Sequence, residues 1–463
     1  MKDAATSFRV PDPGIRALFA QDSRWQAWLD VEVALARAEA DLDMIPRAAA
    51  QAIAGVARLE LLDRARIDEA LARTGHPLVP VVWELARVCP GDAGNYVHWG
   101  ATTQNIVDTG EMLLMRRANA IYLDLLADVL DALSGQAQRT RAMPAAGRTH
   151  GQHAVPITFG FKVAAWIDEL VRAAGRLQAA PGDGLFVAMA GGAAGTFASF
   201  GEQGFAVQQR LAAHLDLPPM SLPSRAIQDR FADYACRLAL LAATCGRIGG
   251  ELYTLMKQEF AEAREPVPEG TVGSSTMPQK RNPILAQDLL AGAAEVRALL
   301  PLALEAMQVE HEANRANTQM MRRAVHGICE AVGDMLARLL VIARGMHVDA
   351  ARMRANLDLS GGLILAEVLM LELGRRIGRQ QAHEVIYEVT QAAMASGGDF
   401  AALLAADAGV TAHLDAAAIE RLLDPAAYTG LCREMADAQA ALARETAARI
   451  RGQQGGAHRS ADS

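Results

Sequence analysis

The densest group of reactive side chains lies in Glu269-Gly-Thr-Val-Gly-Ser-Ser-Thr-Met-Pro-Gln-Lys-Arg-Asn-Pro283, behind an acidic stretch of Glu259, Glu262 and Glu265. A loop delivering Ser274, Ser275, Lys280 and Asn282 can donate several hydrogen bonds to a carboxylate or a developing oxyanion, and by closing over it can exclude water. The same residue types also suit a solvated connector between helices, so composition alone leaves both readings open. Histidines form a second group. His76, His98, His150 and His153 fall in the proline- and glycine-rich segments 74–80, 90–100 and 143–156 rather than on apolar helix faces. Imidazole titrates near neutral pH, which suits a general acid or base, although a loop histidine that merely faces water is the competing reading for each.

Other patterns point away from particular chemistries. No His-Glu-x-x-His occurs, and His150 and His153 lack a cysteine or carboxylate at ligand spacing, so no metal is expected. The glycine-rich run from Gly182 to Gly204, including Gly191-Gly-Ala-Ala-Gly195, has neither a following Gly-Lys-Ser/Thr nor a preceding strand. It is therefore read as neither a phosphate loop nor a dinucleotide fingerprint, and no cofactor is expected. Ser274 has no Gly-x-Ser-x-Gly elbow around it, which argues against a hydrolase triad.

The elements that must position these loops are helical. Trp25, Leu29, Val33, Ala36 and Ala40 place one apolar stripe on a helix that starts near Ser23, and 110–141, 158–179, 316–345, 361–376 and 381–397 read the same way. The longest pattern, 228–262, keeps Leu238, Leu241, Cys245, Ile248, Leu252 and Leu255 on one face. At 1.5 Å per residue it predicts a helix of roughly 50 Å. No alternation is long enough for a central sheet, so the fold class is all-α. A helix that long and that rich in Ala and Gly predicts a bundle continued by other subunits.

Composition agrees. In 463 residues, 51% hydrophobic and 21% charged exclude disorder and fibres, and 5% aromatic favours close-packed helices over sheets. Lys+Arg 45 against Asp+Glu 53 gives a net charge of −8 with the signs interspersed, so nucleic acid is not an expected partner. Apolar runs are broken by charges before spanning length and Met1 to Val10 lacks an apolar core, which predicts neither a membrane partner nor a signal peptide. The five cysteines, without a Cys-x-x-Cys pair, predict reduced thiols and a cytoplasmic chain.

The block Gly273-Ser-Ser-Thr-Met-Pro-Gln-Lys-Arg-Asn-Pro283 resembles the Gly-Ser-Ser-x-Met-Pro-x-Lys-x-Asn signature of the fumarase/aspartase superfamily. His98-Trp-Gly-Ala-Thr-Thr-Gln-Asn-Ile-Val-Asp-Thr109 is similar to the superfamily's first region and Gly147-Arg-Thr-His-Gly-Gln152 to its second. The likeness continues through Gln228-Asp-Arg230 to Gly378-Arg-Gln-Gln-Ala-His383, and is greatest to the branch of 3-carboxy-cis,cis-muconate cycloisomerase and adenylosuccinate lyase.

This resemblance implies a homotetramer around a central long-helix bundle, with each active site assembled from three subunits. It implies a subunit in three parts: an N-terminal helical domain over 1–110, a bundle domain over 111–350 carrying the signature loop 264–283, and a C-terminal helical domain over 351–463. It also implies β-elimination from a small dicarboxylate through an aci-carboxylate. By motif position Ser274 is the base, Lys280 and Asn282 stabilise the intermediate, and His150 protonates or positions the leaving group. Thr102, Thr103, Thr149 and Ser275 hold carboxylates, with His76, His98 and Gln228 in the substrate-binding set. A serine base requires a strongly lowered pKa, for which a cation and aligned amides are the available means.

Departures from the relatives narrow the substrate. Pro13-Gly-Ile-Arg-Ala-Leu-Phe19 and Trp25 to Ala38 are closer to the cycloisomerase, and the Arg-Tyr-Ser phosphate contact of adenylosuccinate lyase is absent. Glu310-His-Glu-Ala-Asn-Arg315 lacks the His-Glu-Arg-Asp continuation of that lyase, while His150 stands where bacterial cycloisomerases often carry another residue such as Trp. The first expectation is a C–N lyase giving fumarate plus an amine or other nitrogen leaving group, with a lactonising cycloisomerase as the alternative. Adenylosuccinate lyase proper and a non-catalytic, crystallin-like assembly rank behind both.

Overall fold

The computed structural model describes residues 10–461 other than 268, 269 and 271–273, and of 454–461 only the backbone. The described residues begin with α1 (Ile15–Leu18), α2 (Gln21–Asp41), α3 (Arg47–Val56), α4 (Arg64–Thr74) and α5 (Val79–Val88). Long α6 (Thr103–Thr140) leads into β1 (Pro144–Thr149) and β2 (Gln152–Thr158), followed by α7 (Phe159–Ala179), α8 (Gly204–His214) and α9 (Asp229–Leu255). The short β3 (Ala263–Arg264) precedes α10 (Ile284–Glu305), α11 (Arg315–Gly345) and β4 (His347–Val348). Next come α12 (Ala350–Asp358), α13 (Ala366–Ile377), α14 (Arg379–Ser396) and α15 (Phe400–Ala406). The last helices are α16 (Ala408–Thr411), α17 (Ala416–Leu422) and α18 (Cys432–Ala461).

The fold is all-α, as the periodicity requires; strands among the described residues are confined to the antiparallel pairs β1–β2 and β3–β4. No described helix is long and apolar enough to cross a membrane. One helix differs from its pattern. The apolar period through 262 predicts a single rod, but α9 ends at Leu255, whose carbonyl accepts the Glu262 amide at 3.0 Å after Ala261 turns the chain with φ 52°. In the acidic stretch that follows, Glu259 is exposed while Glu262 and Glu265 are buried.

The described chain forms two compact units, each built from three stretches. The first takes the chain up to Leu125 with Ala173–Ala243 and Ala291–Ala337; the second takes Leu126–Arg172, Thr244–Leu290 and the chain from Arg338. In the first unit, α6 meets α11 where the Tyr122 hydroxyl donates to the Cys329 carbonyl at 2.8 Å, and Phe186 packs edge-on to Tyr234 with centroids 5.2 Å apart. The glycine run serves packing there. A Cβ on Gly191 or Gly195 would lie 2.7 or 2.5 Å from the Pro223 carbonyl oxygen, so only glycine permits the approach. In the second unit, Gln136 on α6 donates to the carbonyls of Ala343 and Met346 at 3.3 and 3.1 Å, and Arg451 of α18 pairs with Asp128 and Asp131. Leu369, Leu373, Ile386, Phe400 and Leu404 form a separate core under α13, α14 and α15. Burying each of these large apolar side chains contributes about 1.5–3 kcal/mol.

Candidate functional site

Apart from His98 and Gln228, the site residues named from the sequence fall into a cavity of the first unit and two loops of the second. In the first unit Thr102 and Thr103 stand at the start of α6, and the Thr103 hydroxyl lies 3.3 Å from His76 Nε2 in the turn before α5. His76, Thr102 and Thr103 line a cavity of roughly 680 Å³ together with Gln104, Asp108, Arg225, Arg315 and Arg322. This is within the range that encloses an organic ligand larger than a four-carbon diacid.

The cavity is cationic. Arg225 is oriented by Gln104 Oε1 at 2.9 Å and by the Ala193 carbonyl at 2.5 Å, and among the described residues neither it nor Arg315 makes an ion pair. Arg322 leans on Glu111 at 3.4 Å. Burial lowers the His76 pKa, with the charges of His98 and Arg315 adding to the effect; its Nδ1 accepts the Val79 amide at 3.1 Å, which leaves Nε2 of the neutral ring to donate toward the Thr103 hydroxyl. Asp108, bonded to Gln104 at 2.8 Å, is pushed up to about 6 by burial, which its amide partners and Arg322 only partly offset.

Two named residues lie apart from this cavity's lining. Gln228 is buried, donates to the Arg225 carbonyl at 3.3 Å and lines a neighbouring cavity of about 10 Å³, the size of one water. Behind it, Glu111 binds His326 at 2.7 Å and Arg24 at 3.2 Å; burial would raise its pKa, but these partners and Arg322 hold it at about 2. His98, with φ 62°, bonds through Nδ1 to buried Glu32 at 2.7 Å. Burial opposes its charged form, yet the Glu32 carboxylate outweighs that and raises the pKa.

In the second unit the β1–β2 hairpin presents Thr149 and His150 at its exposed tip. His150 and Gly151 turn the chain with φ 53° and 77°, a left-handed pair that glycine takes readily and histidine less so. His153 sits on β2, where burial and the nearby Arg148 lower its pKa. The signature loop lies in the same unit; Gly273, with 268, 269, 271 and 272, is outside the described residues. Ser274 is half-buried, and its Oγ accepts the Met277 and Thr276 amides at 3.1 and 3.4 Å, so the hydroxyl oxygen stands inside a turn of converging N–H groups. Ser275 and Lys280 are exposed, and Asn282 is half-buried.

Asp108, Arg225, Asn314, Thr318 and Arg322 were missed by sequence reasoning, though a signal was present. Asn314, Thr318 and Arg322 recur every fourth residue and so share one polar face at the start of α11, and Gln104 and Asp108 do the same on α6.

A family model described as "Lyase" matches residues 6–298, and one described as "Adenylosuccinate lyase C-terminus" matches residues 362–438. The chain is 39% identical over 428 residues to an N-acetyl-S-(2-succino)cysteine lyase of Dickeya dadantii, covering 92% of this chain and 93% of that one. It is 40% identical over 428 residues to a 3-carboxy-cis,cis-muconate cycloisomerase of Bradyrhizobium diazoefficiens, covering 91% and 94%. The crystal structure of the 3-carboxy-cis,cis-muconate lactonizing enzyme from Pseudomonas putida superposes with a TM-score of 0.88 at 36% identity, covering 96% of this chain and 99% of that one.

Proposed function

Because the chain belongs to the fumarase/aspartase superfamily of lyases, we propose that it eliminates a heteroatom leaving group from a 2-substituted succinate and releases fumarate. Ser274 takes the proton from the carbon beside a carboxylate, and the electron pair moves onto that carboxylate as the aci form. Its collapse makes the double bond of fumarate and breaks the bond to the heteroatom, which His150 protonates as it leaves. Lys280 and Asn282 stabilise the added negative charge, for which preorganised donors contribute several kcal/mol, about 3 for a single one. Thr102, Thr103, Thr149 and Ser275 hold carboxylates, with His76, His98 and Gln228 supporting the substrate.

The observation that carries this reading is the turn at Ser274. Two amides directed at Oγ from 3.1 and 3.4 Å stabilise its deprotonated form, which is what a serine base needs. The family resemblance pointed to nitrogen as the leaving atom; similarity to a protein named for a 2-succino thioether supports sulfur as well, and proton removal is the same for both. The cationic cavity lined by Arg225 and Arg315 supports a leaving group that is itself anionic. We read the chain as a cytoplasmic homotetramer whose sites combine loops of different copies, and we keep 1–110, 111–350 and 351–463 as its division into parts.

The test is fumarate absorbance during incubation with N-acetyl-S-(2-succino)cysteine and a panel of N-substituted succinates; no turnover of any, in either direction, would sink the reading. Ser274→Ala should lower kcat at least about 1,000-fold with an unchanged melting temperature, since the side chain is small and half-buried. A second reading, lactonising cycloisomerisation, is favoured by the 40% identity to a protein of that name. Lactone formed from 3-carboxy-cis,cis-muconate, without fumarate, would establish it instead.

A further inference from the structure

We propose that Glu262 and Glu265 are positioning residues for this elimination. Glu262 ties the hairpin bearing Thr149 and His150 to the root of the signature loop, and Glu265 ties the loop's far end to the same root. The proposal rests on the roles given above to Ser274 and His150.

Within the second unit the segment 262–265 is held from three directions. Its backbone is paired, since the Glu262 carbonyl accepts the Asp349 amide at 2.9 Å, Ala263 opposes Val348 and Arg264 opposes His347. The Glu262 side chain, 1% exposed, has both oxygens filled. Oε1 accepts from Arg148 Nη2 at 2.5 Å and Asn356 Nδ2 at 2.7 Å, and Oε2 accepts from Arg148 Nη1 at 3.1 Å. Arg148 immediately precedes Thr149 and His150, and its guanidinium also lies 4.9 Å over the Phe260 ring. A two-pronged guanidinium bond combined with ring stacking restricts both the plane and the depth of Arg148, and with them the attitude of the hairpin tip.

Glu265 works on the other side. Its oxygens accept the amides of Leu285 and Ala286 at 3.1 and 3.0 Å, donors in the first turn of α10 that have no partner within the helix. The chain that leaves at 266 therefore returns at 284 to the same anchored carboxylate. Buried ion pairs add little stability over apolar packing of equal volume. What these carboxylates supply is a defined register for two elements that carry reactive groups, where an error of about 1 Å costs on the order of 100-fold in rate.

The experiment uses full-length Glu262→Gln, Glu265→Gln, Asn356→Ala and Ser274→Ala proteins. Each is assayed for fumarate release from N-acetyl-S-(2-succino)cysteine and N-substituted succinates, and by hydrogen exchange over 144–158 and 274–290. Both Gln variants should lose about 100-fold in kcat with KM within about threefold, because positioning acts on the reaction step and not on uniform binding. Exchange should rise over 144–158 in Glu262→Gln and at 284–290 in Glu265→Gln, with the rest of the chain as in the parent. Adding Arg148→Lys to Glu262→Gln should cost little more, as expected of residues that act through one contact.

If both Gln variants stay within about threefold of the parent kcat while Ser274→Ala is inactive, the positioning role is overturned and the serine base stands. Turnover by Ser274→Ala overturns both. If Glu262→Gln fails to fold, Asn356→Ala, which leaves both Arg148 bonds to Glu262 in place and removes the Nδ2 bonds to Glu262 and to the Phe260 carbonyl, decides the hairpin arm by exchange over 144–158. Unchanged exchange in both segments overturns the proposal whichever substrate is turned over.

Discussion

Glu39 shows how far burial can move a single residue. It lies on α2, fully inaccessible, with neither carboxyl oxygen hydrogen-bonded among the described residues, and burial, aided by the charge of Glu32, pushes it up to about 9. An unfolded glutamate titrates near 4.3, so the folded chain keeps a proton that the unfolded chain gives up between those values. This raised carboxyl therefore favours the fold fully below about pH 4.3, and its contribution falls as pH rises toward 9, by at most about 1.4 kcal/mol per unit. Replacing it by Glu39→Gln removes that slope. Between pH 6 and 8 the parent should lose roughly 3–5 °C more in melting temperature than the variant, as followed by circular dichroism; parallel losses would mean that Glu39 is charged and paired. Its spacing announces burial, since Glu32 and Glu39 sit two turns apart on the stripe face that Trp25 and Leu29 mark as apolar, but not the size of the shift, which depends on contacts made only in the fold. Ser274, by contrast, is legible from its neighbours, since the amides that serve it belong to residues two and three positions later.

At the scale of elements, periodicity located α2, α7, α11 and α14 to within a few residues, because burying one stripe is a local requirement repeated every turn, but it left α10 and α18 unmarked. It failed where a distant partner ends a helix, as at Leu255. The packing of α9 on α10 offers a direct check. A Cβ on Gly249 would lie 2.7 Å from Leu289 Cβ and 3.0 Å from the Ala286 carbonyl oxygen. Gly249→Val should therefore destabilise the protein by about 1–3 kcal/mol, read as a lower thermal midpoint, because two helix backbones must move apart to admit it. The β1–β2 hairpin was not foreseen as strand, since its residues read as a proline- and glycine-bounded loop. Its register comes from pairing Pro144 with Thr158 and Thr149 with Gln152 across a bulge.

For the whole molecule, the named site residues divide between two units: His76, His98, Thr102, Thr103 and Gln228 in one, Thr149, His150, Ser274, Ser275, Lys280 and Asn282 in the other. If sites combine loops of different copies, two variants that are each inactive can repair one another. Mixing Ser274→Ala with His150→Ala protein under subunit exchange should restore part of the fumarate-forming activity that neither has alone, and mixtures as inactive as their parents would count against shared sites. The helical class, the superfamily and the reactive loop were all readable from the chain, because helix period and a contiguous motif are properties of neighbouring residues. The meeting of Arg225, Arg315 and Arg322 around one cavity was not readable, nor was the burial of Glu262 and Glu265. Those features depend on which surfaces exclude water after folding, and on contacts such as Arg148 with Glu262 that span 114 positions, a separation at which residue spacing carries no information.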